Sequence, residues 1–299
     1  MKEQAKSPLV SVLMITYNRA NYLEESINSV LYQTYSNLEI VVLDDGSTDD
    51  TQVVIKRISD ERLKYHRINH IGLISKVRNE SLKLASGEYI AFIDSDDLWQ
   101  KNKLETQLGF IFQHRIDAIF SNITTFDVHG NTDSLNYSSL TIESTSEQIL
   151  RRILEKGMAI YVSTLLMNKS VLDKIGAFSE RLSATEMEFM SRLIAGCEVR
   201  CLPENLVRIR KHEVNSSSVI DVEEKFEEKF MILRYFHLNG ILGTKAYEKS
   251  MLMHYGYLMG NRFPKFSFKI FFRYYYKTIR LNPFSLVPYK AFVRKFLRL

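Results

Sequence analysis

The sequence holds only two cysteines, Cys197 and Cys201. It therefore implies no disulfide framework and suits a reducing compartment. No second Cys or His pair stands at zinc-site spacing, so both thiols are expected as small buried hydrophobes. No stretch reaches the roughly 18 uninterrupted apolar residues that a membrane-spanning helix needs. The apolar run at residues 9–15 follows Lys2 but ends in Thr16-Tyr17-Asn18-Arg19 without a small-residue cleavage site. That favours a buried strand over a secretory leader. Neither G-x-G-x-x-G nor G-K-S/T occurs, which argues against a dinucleotide enzyme and a P-loop NTPase. Internal repeats and low-complexity linkers are also missing. Acidic residues are absent from 263–299, where nine of the 40 Lys and Arg lie, leaving 31 basic against 35 acidic residues elsewhere. The net charge of +5 therefore belongs to the tail.

What is present is ordinary globular composition, 45% hydrophobic and 25% charged, over a length that fits one large α/β domain or a catalytic domain with an appendage. Apolar runs at 9–16, 38–43, 63–66, 89–93 and 118–120 read as strands. Segments 22–32, 51–58 and 74–85, with apolar residues at helical spacing, separate the first four. That alternation predicts right-handed crossovers and a mostly parallel sheet covered on both faces. Residues 122–146 are polar and turn-rich, with a hairpin or loop tip at Gly130-Asn131. Helices are expected at 146–156 and 170–175, flanking the apolar run 160–167. From Val222 onward the pattern is helical, with Asn239-Gly240 as a turn.

In such sheets ligands collect beyond the carboxyl ends of the strands. Three polar clusters fall there: Thr16-Tyr17-Asn18-Arg19, Asp44-Asp45-Gly46-Ser47-Thr48-Asp49-Asp50, and Asp94-Ser95-Asp96-Asp97. The second also suits a plain turn and helix cap, and an acidic loop can be merely solvated. Carboxylates crowded at the end of a buried strand repel one another. A hard divalent cation relieves that repulsion, and a diphosphate completes its coordination.

The order Val10-Ser11-Val12, Thr16-Tyr17-Asn18-Arg19, Gln33-Thr34-Tyr35, Glu39 to Asp49, Arg78-Asn79 and Gly87 to Trp99 resembles the family 2 glycosyltransferases, of the fold type called GT-A. The dense match covers about the first hundred residues. A thinner one continues through Gly176-Ala177-Phe178, Arg192-Leu193, Leu202 to Leu206 and Arg210-Lys211-His212. The resemblance implies an α/β fold with a mostly parallel sheet flanked by helices, and a C-terminal all-helical appendage. A Rossmann-like nucleotide-sugar half at 1–100 and an acceptor or catalytic half at 101–218 would form the catalytic domain. Residues 219–299 would be the helical region.

By the same resemblance Thr16 and Tyr17 line the base and Asp45 accepts a hydrogen bond from it. Arg78 helps position the nucleotide, and Arg19 and Ser95 join the donor site. Asp94 sits near ribose and metal, and Asp96 binds Mn²⁺ or Mg²⁺ bridging the diphosphate. His212 lies near the diphosphate and reaches the metal. The implied activity is inverting transfer from a nucleoside-diphosphate sugar, UDP by family weight, to a hydroxyl of a glycan or lipid-linked acceptor in surface polysaccharide, lipopolysaccharide or glycoprotein glycan synthesis. The family usually has an Asp as base before an aromatic helix ending in Arg-Leu; here Glu186 holds that position, with Glu188 two residues on. Lys76-Val77 replaces the small pair usual before Arg-Asn.

Rival readings are a phosphohydrolase using Asp94 and Asp96, a nucleotidyltransferase, and a non-catalytic sugar-nucleotide-binding or scaffold protein. The second lacks its Gly-rich loop after the first strand, and only the Glu186 departure favours the third. A nucleic-acid partner is not expected; an oligomer is compatible. In the tail, Lys269, Arg273, Lys277 and Arg280 recur at helical spacing opposite Phe268, Phe271, Phe272, Tyr275 and Ile279. A shorter repeat sets Lys290, Arg294 and Arg298 against Phe292, Val293, Phe296 and Leu297. Such a face suits the headgroup boundary of an anionic membrane or packs on the protein. A cytoplasmic enzyme is expected, held on the inner face of the cell membrane in the first case.

Overall fold

The computed structural model describes residues 7–127, 129–130, 132–135, 140, 142–156, 160–181, 185–212, 222–259 and 268–288. Two compact units emerge: 1–150 with 160–219, and 151–159 with 220–299. The first is built on one nine-stranded sheet in the order β3-β2-β1-β4-β8-β6-β9-β5, with β7 paired to β6. Strands β1 (Val10–Thr16), β2 (Leu38–Asp44), β3 (Leu63–Arg67) and β4 (Tyr89–Asp94) run parallel. Helices α1 (Ala20–Leu31), α2 (Thr51–Arg57) and α3 (Ile74–Leu84) connect them. Beyond β4 the sheet turns mixed. Strand β8 (Leu166–Asn168) lies antiparallel between β4 and β6 (Ala118–Phe126), and β9 (Val199–Arg210) runs parallel to β6. The short β5 (Leu98–Trp99) closes the far edge against β9 and leans back on α1, where Trp99 N–H donates to Ser29 Oγ at 3.1 Å.

The expected α/β architecture is therefore present, with a correction in its second half. Residues 122–126, read as polar loop, continue β6, and β7 (Thr132–Leu135) folds back on it. Pairing with β9 overrides the weak local signal: Ile123, Thr125 and Phe126 are buried although the segment is polar. The hairpin expected near Gly130 lies at this point, while Asn131 falls outside the described residues. The run 160–167 becomes a 3₁₀ turn, Val162–Thr164, followed by β8. Helices α4 (Lys103–His114), α5 (Ser146–Lys156), α6 (Val171–Ile175) and α7 (Thr185–Gly196) complete this part of the chain. Cys197 and Cys201 are free and buried as expected.

Packing follows periodicity. Leu23, Ile27, Val30 and Leu31 of α1 lie buried in one core with Val10, Val12, Met14, Ile40 and Val42. Each such side chain contributes about 1.5–3 kcal/mol relative to exposure. Gly87 opens β4 because any Cβ there would stand 2.6 Å from the Leu9 carbonyl oxygen.

One polar network locks the first strands at their entry. Glu39 is buried in β2 and accepts from Ser11 Oγ, Lys64 Nζ, and both the N–H and Oγ of Ser86. Ser11 Oγ in turn accepts from Gly87 N–H at 2.7 Å. Burial opposes the Glu39 charge, but the bonds from Lys64, Ser11 and Ser86 outweigh it and lower the carboxyl to about 2.

The second unit is helical: α8 (Val222–Leu238), α9 (Thr244–Met259) and α10 (Phe268–Leu281), with the expected turn at Gly240. Phe230, Tyr255 and Tyr274 pack ring against ring. The expected face of α10 is corrected here. Its buried stripe is Phe271, Tyr274 and Thr278, while Phe272 and Tyr276 stay exposed. Tyr274 turns inward because its hydroxyl finds Glu227 Oε1 at 2.8 Å, satisfying the polar tip. Lys277 pairs with the same carboxylate at 2.9 Å. The expected second repeat at 290–298 lies outside the described residues. Among those described, no helix is long and apolar enough to cross a membrane.

Glu39→Gln is expected to cost about 1.5–3 kcal/mol, the range for hydrogen bonds to a charged group. Because the folded value is depressed, wild type should hold its full lead above pH 4.5 and lose it as pH falls through about 2. Urea unfolding of both proteins across that window checks this; equal midpoints at neutral pH would contradict it.

Candidate active site

The parallel strands deliver all three polar clusters to one end of the sheet, at the switch point where β1 lies between β2 and β4. The first two clusters are stitched into one surface. Asp45 N–H donates to the Thr16 carbonyl at 2.9 Å. Asn18, in a left-handed conformation at φ 52°, donates its N–H to Ser47 Oγ at 2.9 Å and accepts from Thr48 N–H at 2.8 Å. Asn is among the few residues that adopt this region at little cost. Asp49 Oδ2 accepts from Ala20 N–H at 3.0 Å and so satisfies the free amino end of α1.

Asp44 and Asp45 have separate tasks. Asp44 is fully buried, accepting from Ser47 N–H at 2.7 Å and from the Tyr65 hydroxyl at 2.6 Å. Asp45 accepts from Ile71 N–H at 2.7 Å and Gly72 N–H at 2.9 Å, with His70 Nδ1 2.9 Å away. The His70 ring stacks on Tyr17, centroids 4.1 Å apart. Tyr17 is exposed above it, and Thr16 is buried with its Oγ1 unpaired. An aromatic ring and a carboxylate, joined through the His70 imidazole, are groups that suit a flat heterocycle carrying an N–H. Gly46, at φ +78°, makes the loop possible: a Cβ there would meet His70 N at 2.8 Å.

The third cluster is the electrostatic centre. Asp97 is buried, accepting from Ser163 Oγ at 2.9 Å and Arg210 N–H at 3.2 Å. Desolvation, with repulsion from Asp94 and Asp96, pushes its carboxyl well above the usual range. Its two bonds tie the end of β4 to the 3₁₀ turn and to β9. Asp96 faces His212 Nε2 at 2.9 Å and Arg19 Nε at 3.6 Å, and the His212 ring stacks on Tyr22. Ser95 is buried, its carbonyl accepting from Ser26 Oγ at 3.0 Å. Asp94 meets Arg78 Nη2 at 3.1 Å, and the same nitrogen reaches Glu186 Oε1 at 2.8 Å. Desolvation, offset by Arg78 and reinforced by Glu186 and Asp96, pushes the Asp94 carboxyl up to about 6. Burial works against the charge of Arg78, but Glu186 and Asp94 outweigh it and hold the guanidinium protonated.

Glu186 thus joins the crevice from the first turn of α7, while Glu188 turns away to pair with Arg192. Arg192 also bonds the carbonyls of Ile175 and Ala177, fixing α7 to the preceding turn. Tyr161 stands near the same charges; desolvation, Glu186 and Asp97 raise its phenol above the ordinary value.

Among the described residues no group of three or more His, Cys, Asp or Glu is arranged to hold a metal ion. Asp96 and His212 adjoin directly, and Asp94 is drawn to Arg78. Two carboxylates, Asp96 and Asp94, and the His212 imidazole are donors that suit a Mg²⁺- or Mn²⁺-type ion taking its remaining oxygens from a diphosphate.

Several working residues carry no chemical signal of their own. Asn79 clasps the Phe178 backbone, Nδ2 to the carbonyl and Oδ1 from the N–H, both at 2.9 Å. Arg210 lies over the Tyr22 and Phe126 rings and donates to the Asp96 carbonyl. Asn18, Asn79 and Arg210 all sit inside the resembling motifs, which was the available clue. Ser163 and His70 had none.

The model of glycosyl transferase family 2 matches residues 11–176. The chain is similar to the UDP-Glc:alpha-D-GlcNAc-diphosphoundecaprenol beta-1,3-glucosyltransferase WfgD of Escherichia coli, 35% identical over 166 residues, 55% of this chain and 62% of that protein. It is similar to the E. coli enzyme WfaP of the same described activity at 40% over 114 residues, 38% of this chain and 45% of WfaP. The chain thus spans less than two thirds of the length of these relatives. Among solved structures, S. aureus TarS 1-349 in complex with UDP-GlcNAc superposes with a TM-score of 0.71, covering 96% of this chain and 87% of that one at 22% identity. That likeness shows the GT-A fold.

Asp97→Ala is expected to lower stability by about 1–3 kcal/mol, since Ser163 Oγ and Arg210 N–H lose their buried acceptor. Thermal unfolding measures it; an unchanged midpoint would remove Asp97 from its role as a tie.

Proposed function

This chain belongs to glycosyl transferase family 2, and from that premise we propose that it transfers a sugar, with inversion, from a UDP-linked donor to a hydroxyl of a glycan or lipid-linked acceptor. The observation that carries the reading is the meeting of Asp94, Asp96 and Glu186 around Arg78 and His212, at the same end of the sheet as Tyr17, His70 and Asp45. Three residues suit the base: Tyr17 offers its face, Asp45 an acceptor edge and Thr16 a buried neighbour. Arg19 and Ser95 belong to the adjoining donor site. Relatives named for UDP-glucose and a structural neighbour that binds UDP-GlcNAc support a UDP donor.

In the reaction the acceptor oxygen forms a bond to the anomeric carbon as the bond to the diphosphate oxygen breaks. Glu186 takes the hydroxyl proton, and the nucleoside diphosphate departs with the bonding pair. A carboxylate one methylene longer than Asp serves as base if its oxygen is held in place, and Arg78 holds Oε1. A divalent cation held by Asp96, with Asp94 and His212, would offset the charge that grows on the leaving diphosphate.

The acceptor reading rests on WfgD and WfaP, both named for a diphosphoundecaprenol substrate. A lipid-linked acceptor sets the enzyme at a membrane surface. The acid-free segment 263–299 and the exposed Tyr276, Phe284 and Leu286 of the second unit suit anionic headgroups, each Lys or Arg contributing about 1 kcal/mol near the surface. The full chain should co-sediment with anionic vesicles and be released by salt. Equal recovery with neutral vesicles, or indifference to salt, would contradict this.

A panel of UDP-, GDP- and TDP-sugars with Mn²⁺ should give nucleotide release from a UDP-sugar, abolished by excess EDTA and by Asp96→Ala. Glu186→Gln should lower kcat by about 10²–10⁴ with donor affinity nearly unchanged. Glu188→Gln should lose stability through Arg192 while keeping turnover. Full activity in EDTA would sink the metal assignment, and a dead Glu188→Gln beside an active Glu186→Gln would move the base.

A further inference from the structure

Arg78 is placed oddly for a residue that meets a nucleotide. It stands in α3, yet only 4% of its surface is exposed. Nη1 is enclosed and has no hydrogen-bond partner. Nη2 is committed to Asp94 and, 108 positions along the chain, to Glu186. The guanidinium also faces the Phe178 ring, 5.6 Å from its centroid. Little of the side chain is left for a donor to touch. Its surroundings, by contrast, are what a bracket for Glu186 would require.

The next residue strengthens that reading. Asn79 closes a two-bond clasp on the Phe178 backbone and reaches Glu180 at 2.9 Å. The adjacent pair Arg78-Asn79 therefore grips Phe178, ahead of α7, and Glu186, in the first turn of α7. Phe178 stacks on Phe189 of α7 with centroids 4.0 Å apart. One turn of a helix in the nucleotide half thus fixes the start of the helix that carries the base. Glu186 has one more rotatable bond than Asp, so it has more need of such a hold.

We infer that Arg78 is a positioning residue for Glu186: its buried guanidinium, anchored on Asp94, holds the base carboxylate where it takes the acceptor proton. This rests on Glu186 being the base. The contacts of its guanidinium are Asp94, Glu186 and Phe178, and it acts through Glu186. A displacement of about 1 Å in a reacting group can cost on the order of 10²-fold, so losing the bracket should lower kcat while leaving nucleotide affinity alone.

The test compares Arg78→Gln, Arg78→Lys, Glu186→Gln and the double variant Arg78→Gln with Glu186→Gln, each by transfer kinetics and by calorimetric titration of UDP with Mn²⁺. Arg78→Gln should lower kcat by about 10–10²-fold with the UDP Kd within about 3-fold. Arg78→Lys, which keeps the charge and one donor to the carboxylates, should recover part of the loss. Adding Arg78→Gln to Glu186→Gln should cost less than about 3-fold more, because residues that act as a unit are not additive. If the losses multiply in the double variant, or if UDP affinity falls in step with kcat, Arg78 is a nucleotide or purely structural residue and the inference fails. Should Arg78→Gln fail to fold, Arg78→Lys alone decides through the same split between kcat and UDP Kd. A fully active Glu186→Gln overturns the base assignment itself, a result separate from either Arg78 outcome.

Discussion

Carboxylate crowding at the end of β4 is the constraint from which the rest of the site follows. Asp94, Asp96, Asp97 and Glu186 share one crevice, and unpaired charges cannot be left there. Each is answered by a different element. The 3₁₀ turn and the end of β9 satisfy Asp97. Arg19, from the β1 cluster, and His212, just past β9, face Asp96. Arg78 from α3 bridges Asp94 and Glu186. Asp94 and Asp97 are incompletely relieved: burial first, and then repulsion among the carboxylates, raises both. A site poised in this way gains most from a ligand that brings positive charge with it, as a cation on a diphosphate does.

The same constraint explains why distant parts of the chain converge. Parallel β-α-β crossovers set the clusters of β1, β2 and β4 side by side, but some of the partners come from segments more than a hundred positions away. Asp97 and Arg210 are bonded across 113 positions, and Arg78 and Glu186 across 108. Burying such links is costly unless every partner is met. Substitutions here are therefore expected to couple, and the crevice is best treated as one unit when variants are compared.

The first hundred residues were largely readable because their information is local. Strands β1, β2 and β4 are near-continuous apolar runs, and the clusters after them stand out as polar residues where the sheet ends. The second half was not readable in that way. Residues 122–126 are polar in sequence yet form the end of β6, since the partner β9 supplies the hydrogen bonds and the cover. Nothing in the spacing of Arg78 distinguishes a nucleotide contact from a bracket on Glu186; only the burial of Nη1 and the Glu186 distance do. In α10 the periodicity was visible, but the inward turn of Tyr274 depends on Glu227 in another helix. Local pattern gives the elements, and long-range pairing decides which faces and which charges meet.

The family match spans 11–176, while Glu186, β9 and His212 lie beyond it. The central claim is that Tyr17 and Asp45, together with Asp94 and Asp96, form one donor site. A crystal structure of the full chain with UDP and Mn²⁺ tests it most directly. The account predicts uracil against Tyr17 with its edge at Asp45, and the diphosphate with its ion at Asp96. UDP bound elsewhere, or an ion seated away from Asp96, would contradict it.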